Sequence, residues 1–248
     1  MLNRLAAVLI VVFWGVMWGL LVKSELEPEE AALREVPVEH VLKLMFHHQQ
    51  PSELIINSDG KMIGHLRLIP RVQENEERLL EFSGGLQLRV PAAERQRLSW
   101  SGESTLTKEL DLKTLAITVI MHTATEGATN SRLIFDFDAA TKKGRYELRS
   151  GTMTFDKQEF EATEEGIRNL ADRVGVGTTL MPAISSKSSA PPVIKARRAS
   201  FKMDDDEMDT LLLTVEYNEQ TMLQVHVSQL GRVLHAKTIL GWTLETDY

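Results

Sequence analysis

The sequence predicts a mainly β protein: a curved antiparallel sheet or partial barrel covered by short helices, preceded by one N-terminal transmembrane helix. Three observations predict it. Leu5 to Val22 is an unbroken apolar run without a charge. From Ser52 onward, apolar and polar residues alternate with a period of two, as in half-buried strands. Turn residues such as Asp59-Gly60, Lys143-Gly144, Ser150-Gly151 and Gly231 punctuate these runs at short intervals. Sequential antiparallel pairing is the economical topology for such a series. A sheet this wide must curl or fold over a helix to cover its apolar face. A two-sheet β-sandwich is the alternative.

The elements follow in chain order. The run from Leu5 to Val22 has 18 residues, about 27 Å of helix against a hydrocarbon core of about 30 Å. It ends in Leu20-Leu21-Val22-Lys23, without the small residues of a cleavage site. Residues 1–23 therefore read as an uncleaved signal anchor rather than a cleaved signal. The body is expected on the extracytoplasmic, periplasm-like side. Arg4 and Lys23 flank the run almost evenly, so the short leading tail and the long following domain decide that orientation. Within the run, Gly15 and Gly19 form G-x-x-x-G, a spacing that lets two helix backbones approach closely. They are the candidate helix–helix contact.

Residues 24–51 form a juxtamembrane helical segment. Pro37 suits a first helical turn, and Val38, Val41, Leu42, Met45 and Phe46 recur at helical spacing before Pro51. Residues 52–248 form the curved β-sheet domain. Asp59-Gly60 marks a tight hairpin, and Gly84-Gly85 predicts a bulge or bend. Leu98, Trp100 and Leu106 share one face of a strand. Leu133, Phe135 and Phe137 alternate with Ile134, Asp136 and Asp138, and Tyr146 and Leu148 with charged neighbours. Strands are expected over 193–203, 210–217, 222–229 and 233–244. A helix is expected near 163–174, where Thr163 precedes two glutamates and an apolar stripe. Residues 185–192, SSKSSAPP, read as an exposed loop.

Charge and chemistry narrow the function classes. The net charge is −7 and the one basic cluster is Lys195, Arg197 and Arg198, so no nucleic-acid partner is expected. The chain has no cysteine, which excludes thiolate catalysis, thiolate zinc sites and disulfides. His40, His47 and His48 are the densest histidine set, and the first two share a helix face, but no H-E-x-x-H spacing occurs. They read as surface or interfacial histidines. Asp204 to Asp209 lacks the glycine of a calcium loop and reads as a solvated turn. His65, His226 and His235 fall within predicted strands, where they could meet on one face. No nucleophile elbow, phosphate loop or dinucleotide fingerprint is present. No cofactor, metal or catalytic residue is therefore assigned, and the chain is read as non-enzymatic.

Three stretches, SELIINSDGKMIGHLRL, GRYELRSGTMTF and QLGRVLHAKTILGWTL, resemble bacterial envelope proteins with the half-barrel lipoprotein-carrier (LolA-type) fold and related anchored domains. The likeness covers most of 52–248 in pattern and carries no diagnostic motif. It implies a concave apolar face holding an acyl chain or another hydrophobic ligand. It departs at the anchor, since a shuttling carrier should be soluble, and over Phe155 to Pro192. The expected function is a membrane-anchored envelope protein whose sheet binds a lipid or hydrophobic ligand. The alternative is an accessory subunit of an export or surface-assembly complex, with a membrane-complex protein as partner.

Overall fold

In the computed structural model, the described residues are 35–88, 96–122, 129–161, 163, 193–203, 206–217 and 220–246. The expected anchor (1–23) with Gly15 and Gly19, all of the helix expected near 163–174 except Thr163, and the expected loop 185–192 lie outside them. No helix among the described residues is long and apolar enough to cross a membrane.

Thirteen strands form one antiparallel sheet: β1 (Ser52–Ser58), β2 (Lys61–Val72), β3 (Arg78–Leu88), β4 (Gln96–Leu106), β5 (Leu112–His122), β6 (Ser131–Asp138), β7 (Lys143–Ser150), β8 (Met153–Glu161), β9 (Val193–Met203), β10 (Asp206–Tyr217), β11 (Gln220–Ser228), β12 (Val233–Thr238) and β13 (Thr243–Thr246). Their spatial order is β8-β7-β6-β5-β4-β3-β2-β1-β13-β12-β11-β10-β9. Each strand pairs with its sequence neighbour, except that β1 also pairs with β13 and β8 is not joined to β9. The first and last strands thus meet inside the sheet, and its two edges, β8 and β9, are consecutive in the chain. A single sheet replaces the alternative sandwich.

The hairpins follow from local chemistry. Asp59 and Gly60 both take positive φ, 50° and 70°, the conformation that matches a two-residue turn to the twist of its strands. The stretch 233–244, read from the sequence as one strand, is a hairpin. Its turn at 239–242 is closed by Thr238 N–H donating to Trp242 O at 3.0 Å, and Gly241 has φ 76°. Gly84 and Gly85 sit in a regular β2–β3 register, not at a bulge. Gly144 is a strand residue opposite Phe160 rather than part of a turn. In the acidic run read as a turn, Asp206, Glu207 and Asp209 belong instead to β10, and Asp204 and Asp205 lie outside the described residues.

One helix is described, α1 (Val38–His48). Its stripe of Val41, Met45 and Phe46 is buried, and each such side chain contributes about 1.5–3 kcal/mol on leaving water. Val41 and Met45 join Leu54, Ile56, Leu86, Ala196, Leu211, Val227, Val233, Ala236 and Leu244 in one core. The helix touches both β2 and β9, strands separated in the sheet by β1 and β10–β13. That half of the sheet therefore curls around the helix. Just before the helix, Val36 N–H donates to Ala196 O at 2.9 Å, and Glu35 bridges to Arg197, so this segment covers part of the β9 edge.

Candidate functional site: the apolar face of the β3–β8 wing

Antiparallel partners share a face, so the registers trace one surface across the sheet. The face that meets α1 carries Leu54 and Ile56 on β1. It continues as Leu66 and Leu68 on β2 and Phe82 and Leu86 on β3. Leu98 and Trp100 follow on β4, then Ile117, Val119 and Met121 on β5. Leu133, Phe135 and Phe137 on β6 and Tyr146 and Leu148 on β7 complete it. The alternation read from the sequence is thus correct for β4, β6 and β7, and all three present their apolar residues to the same side.

The concavity under α1 is filled by the protein's own side chains. The expected ligand-holding hollow is filled there, because Val41 and Met45 pack in one core with Leu54 and Leu211, none of them more than 8% exposed. Beyond β3 the same face is only partly covered. Trp100, Val119, Leu133 and Phe135 are half-buried, while Met121 and Leu148 are 44% and 38% exposed.

Glycines shape this floor. Three cross-strand pairs put glycine directly opposite an aromatic ring: Gly84 with Trp100, Gly102 with Phe82 and Gly144 with Phe160. A Cβ at these glycines would stand 2.4, 2.6 and 2.2 Å from the facing ring. The rings therefore lie down over the backbone of the neighbouring strand, the arrangement by which an aromatic shields a strand glycine. Phe135 and Phe160 continue it, with ring centroids 5.6 Å apart. The floor ends at a polar strip near the edge, where the buried Tyr146 hydroxyl donates to Asp156 Oδ2 at 2.6 Å and to Gln158 Oε1 at 3.5 Å. The glycine–aromatic register is the feature sequence reading missed. Its signal is present as isolated glycines inside strand patterns.

The opposite face is polar on the wing. It carries the Arg71–Glu81 and Arg145–Asp136 ion pairs, and a shallow trough of about 440 Å³ runs across it from Arg67 on β2, paired with Glu53 on β1, to Asp136. Glu147, paired with Arg149 and bonded by Thr154, is held down at about 2. On the helical half, the same face holds a row of direct cross-strand partners: Arg197, Leu212, His226, His235, Glu245, Ile55 and His65.

His65, His226 and His235 do share one face. His226 and His235 are neighbours with centroids 5.9 Å apart, packed on Phe201 at 4.6 and 5.2 Å. His65 lies three strands from His235, beyond Glu245 and Ile55, so the three do not converge. His226 Nδ1 and Thr210 Oγ1 are 3.0 Å apart. Burial, then the neighbouring His235 and Arg197, pushes His226 down to about 4. Burial lowers His235 too, against Glu245. His40 and His47 line one cleft beside α1 with Lys43, Arg78, Glu76 and Lys108, as their shared helix face requires. His47 contacts His48 edge-on. Among the described residues no cluster of three His, Asp or Glu could hold a metal ion.

Neither a family model nor a curated protein matches this chain. Among solved structures, it is similar to a beta-barrel-like protein of a domain of unknown function, DUF1849, from Brucella abortus. The two are 10% identical with a TM-score of 0.42, over 79% of this chain and 94% of that one.

Proposed function

We propose that the protein is a non-enzymatic, membrane-anchored envelope protein whose β3–β8 wing binds a lipid or another hydrophobic ligand. The observation that carries this reading is the half-buried apolar floor, which no helix among the described residues covers. Aromatic and aliphatic side chains lie half-exposed over several adjacent strands, and a contiguous apolar surface of that kind is an interaction site more often than not. The flattened rings of Phe82, Trp100 and Phe160 offer a smooth surface to an extended acyl chain. The anchor over residues 5–22 would hold the body at the extracytoplasmic side of a membrane, beside a source of such chains.

The alternative, an accessory subunit of a membrane complex, rests on one observation. Strand β8 has a neighbour on one side only among the described residues, and an unpaired edge can accept a strand from a partner.

Extraction of the full chain in mild detergent, followed by mass spectrometry of what remains bound, separates the two. A hydrophobic small molecule retained by the wild type and lost from Val119→Glu, with the β-sheet circular dichroism signal intact, supports the wing as the site. A stoichiometric protein in place of such a molecule supports the edge. Equal retention of the molecule by Val119→Glu rejects the wing.

A further inference from the structure

Like charges directly opposite each other on neighbouring strands destabilise a sheet. On the polar face of the wing, Arg132 on β6 and Arg149 on β7 form such a pair. Further along the same two strands and on the same face, Asp136 stands opposite Arg145, and the two are bonded at 2.6 Å. The ladder carries complementary charge there and repulsion at Arg132. Arg149 is committed on one side only. Its Nε and Nη2 donate to the two Glu147 carboxylate oxygens at 2.7 and 2.9 Å, and Thr154 adds a further bond to that carboxylate. Its Nη1 is not used in that pairing. Arg132 makes no hydrogen bond or ion pair with any described residue.

Both guanidinium groups line one cleft of about 480 Å³, with Ile120, His122, Thr129 and Asn130. That volume lies within the range of small-ligand sites. Ile120 stands directly opposite Arg132 and forms an apolar floor. Ser99 Oγ and His122 Nε2 are 2.9 Å apart, a bond that fixes the ring and leaves Nδ1 as its remaining polar atom. The rim is braced as well: Thr129 Oγ1 and Ser150 Oγ are 2.8 Å apart, and Gly151 N–H donates to Asn130 O at 3.3 Å. No carboxylate lines the cleft among the described residues. The sequence nearby keeps the same sign. Arg97 stands opposite His122. The β3–β4 connection adds Arg89, Glu94 and Arg95, and the β5–β6 connection adds Glu126. With Glu147 counted, five arginines (89, 95, 97, 132 and 149) meet three glutamates (94, 126 and 147), in a chain whose net charge is −7.

We infer that this cleft binds the phosphate group of a phosphate monoester, with Arg132 and Arg149 as its cationic donors. A guanidinium presents its N–H groups in a planar fork that matches phosphate oxygens. An anion held between the two arginines turns their mutual repulsion into attraction to a shared partner. His122 supplies a third polar group from β5. Donors thus approach from three adjacent strands, which suits the tetrahedral spread of phosphate oxygens better than the two coplanar oxygens of a carboxylate. Ile120 gives the organic part of the ester an apolar surface. The cleft lies on the face opposite the wing floor, so it stands without any hydrophobic ligand there. A soluble ester and a lipid headgroup share this chemistry.

Calorimetric titration separates these sources. The full chain in a mild non-ionic detergent is titrated with glycerol 3-phosphate and, separately, with phosphatidic acid carried in the micelles. Saturable binding is expected in at least one arm; the first identifies a soluble ester and the second a lipid headgroup. Arg132→Gln should weaken that binding at least tenfold, and acetate at equal concentration should not compete. Thermal unfolding gives a second readout. Without ligand, Arg132→Gln should be at least as stable as the wild type, because it removes the repulsion. It should also lose the rise in midpoint that the ligand gives the wild type. No saturable binding in either arm overturns the inference, as does unchanged affinity in Arg132→Gln or competition by acetate. So does a loss of ligand-free stability in Arg132→Gln that Glu126→Gln reproduces, which would make Glu126 the counter-ion from within the chain.

Discussion

His226 sits where a neutral imidazole is favoured. Phe201 and Leu212 take part of its ring out of water, and Arg197 and His235 oppose a positive charge beside it. In the unfolded chain this imidazole takes a proton near 6.5, and in the folded protein only near 4. Between those values protons bind the unfolded chain preferentially, so stability is greatest above about pH 6.5 and falls as pH drops toward 4. His235 is shifted in the same direction by burial and adds to the slope. The ion-paired carboxylates Glu76, Glu77 and Glu147 are lowered from 4.5, so their contribution is lost only as pH falls below about 4.5, at the foot of the histidine window. Urea midpoints measured from pH 7 to 4.5 should decline in the wild type and flatten in His226→Leu. An unchanged slope in that variant would place the pH dependence elsewhere.

Helix α1 is the element that turns a broad sheet into a folded core. Met45 packs among Leu54, Val227 and Val233, and Gly231 passes so close that a Cβ there would stand 2.6 Å from Met45 Cα and Leu44 O. Met45→Ala should therefore cost about 2–5 kcal/mol in urea unfolding. Met62→Ala, at an exposed position, should stay within about 0.5 kcal/mol. Equal effects would mean that the helix does not clamp the sheet. This helix was legible in the sequence because its stripe repeats at 3.6 residues between two prolines. The strands were legible for the same reason at a period of two. The hairpin at 239–242 was not, because Ile239, Leu240 and Trp242 continue the apolar alternation and only Gly241 interrupts it. The glycine–aromatic pairs were hidden for another reason: Gly84 and Trp100 lie sixteen positions apart, and only the register between β3 and β4 makes them partners. The convergence of His226 with His235, and the separation of His65 from both, likewise depended on β13 and β1 lying between them.

At the scale of the molecule, one sheet carries two unequal halves. Around α1 the apolar face is dry and packed, with Leu54, Leu211 and Val227 almost wholly buried. Across β3–β8 no described helix covers that face, and the wing ends at an edge strand whose Met153 and Phe155 are exposed. Backbone pairing is continuous between the halves, so local stability should differ through side-chain burial rather than hydrogen bonding. Amides of β1, β11 and β12 should exchange only on global unfolding, whereas those of β6 to β8 should open locally at lower free energy. Hydrogen exchange read by mass spectrometry would show this as slow exchange at 223–227 and faster exchange at 145–160. A hydrophobic ligand on the wing would slow exchange in 115–121 and 133–148 while leaving 223–227 unchanged, since those amides already report the global limit. Uniform protection across the whole sheet in the ligand-free protein would contradict the two-halves description. It would also deprive the wing of the partly exposed surface on which its proposed binding role depends.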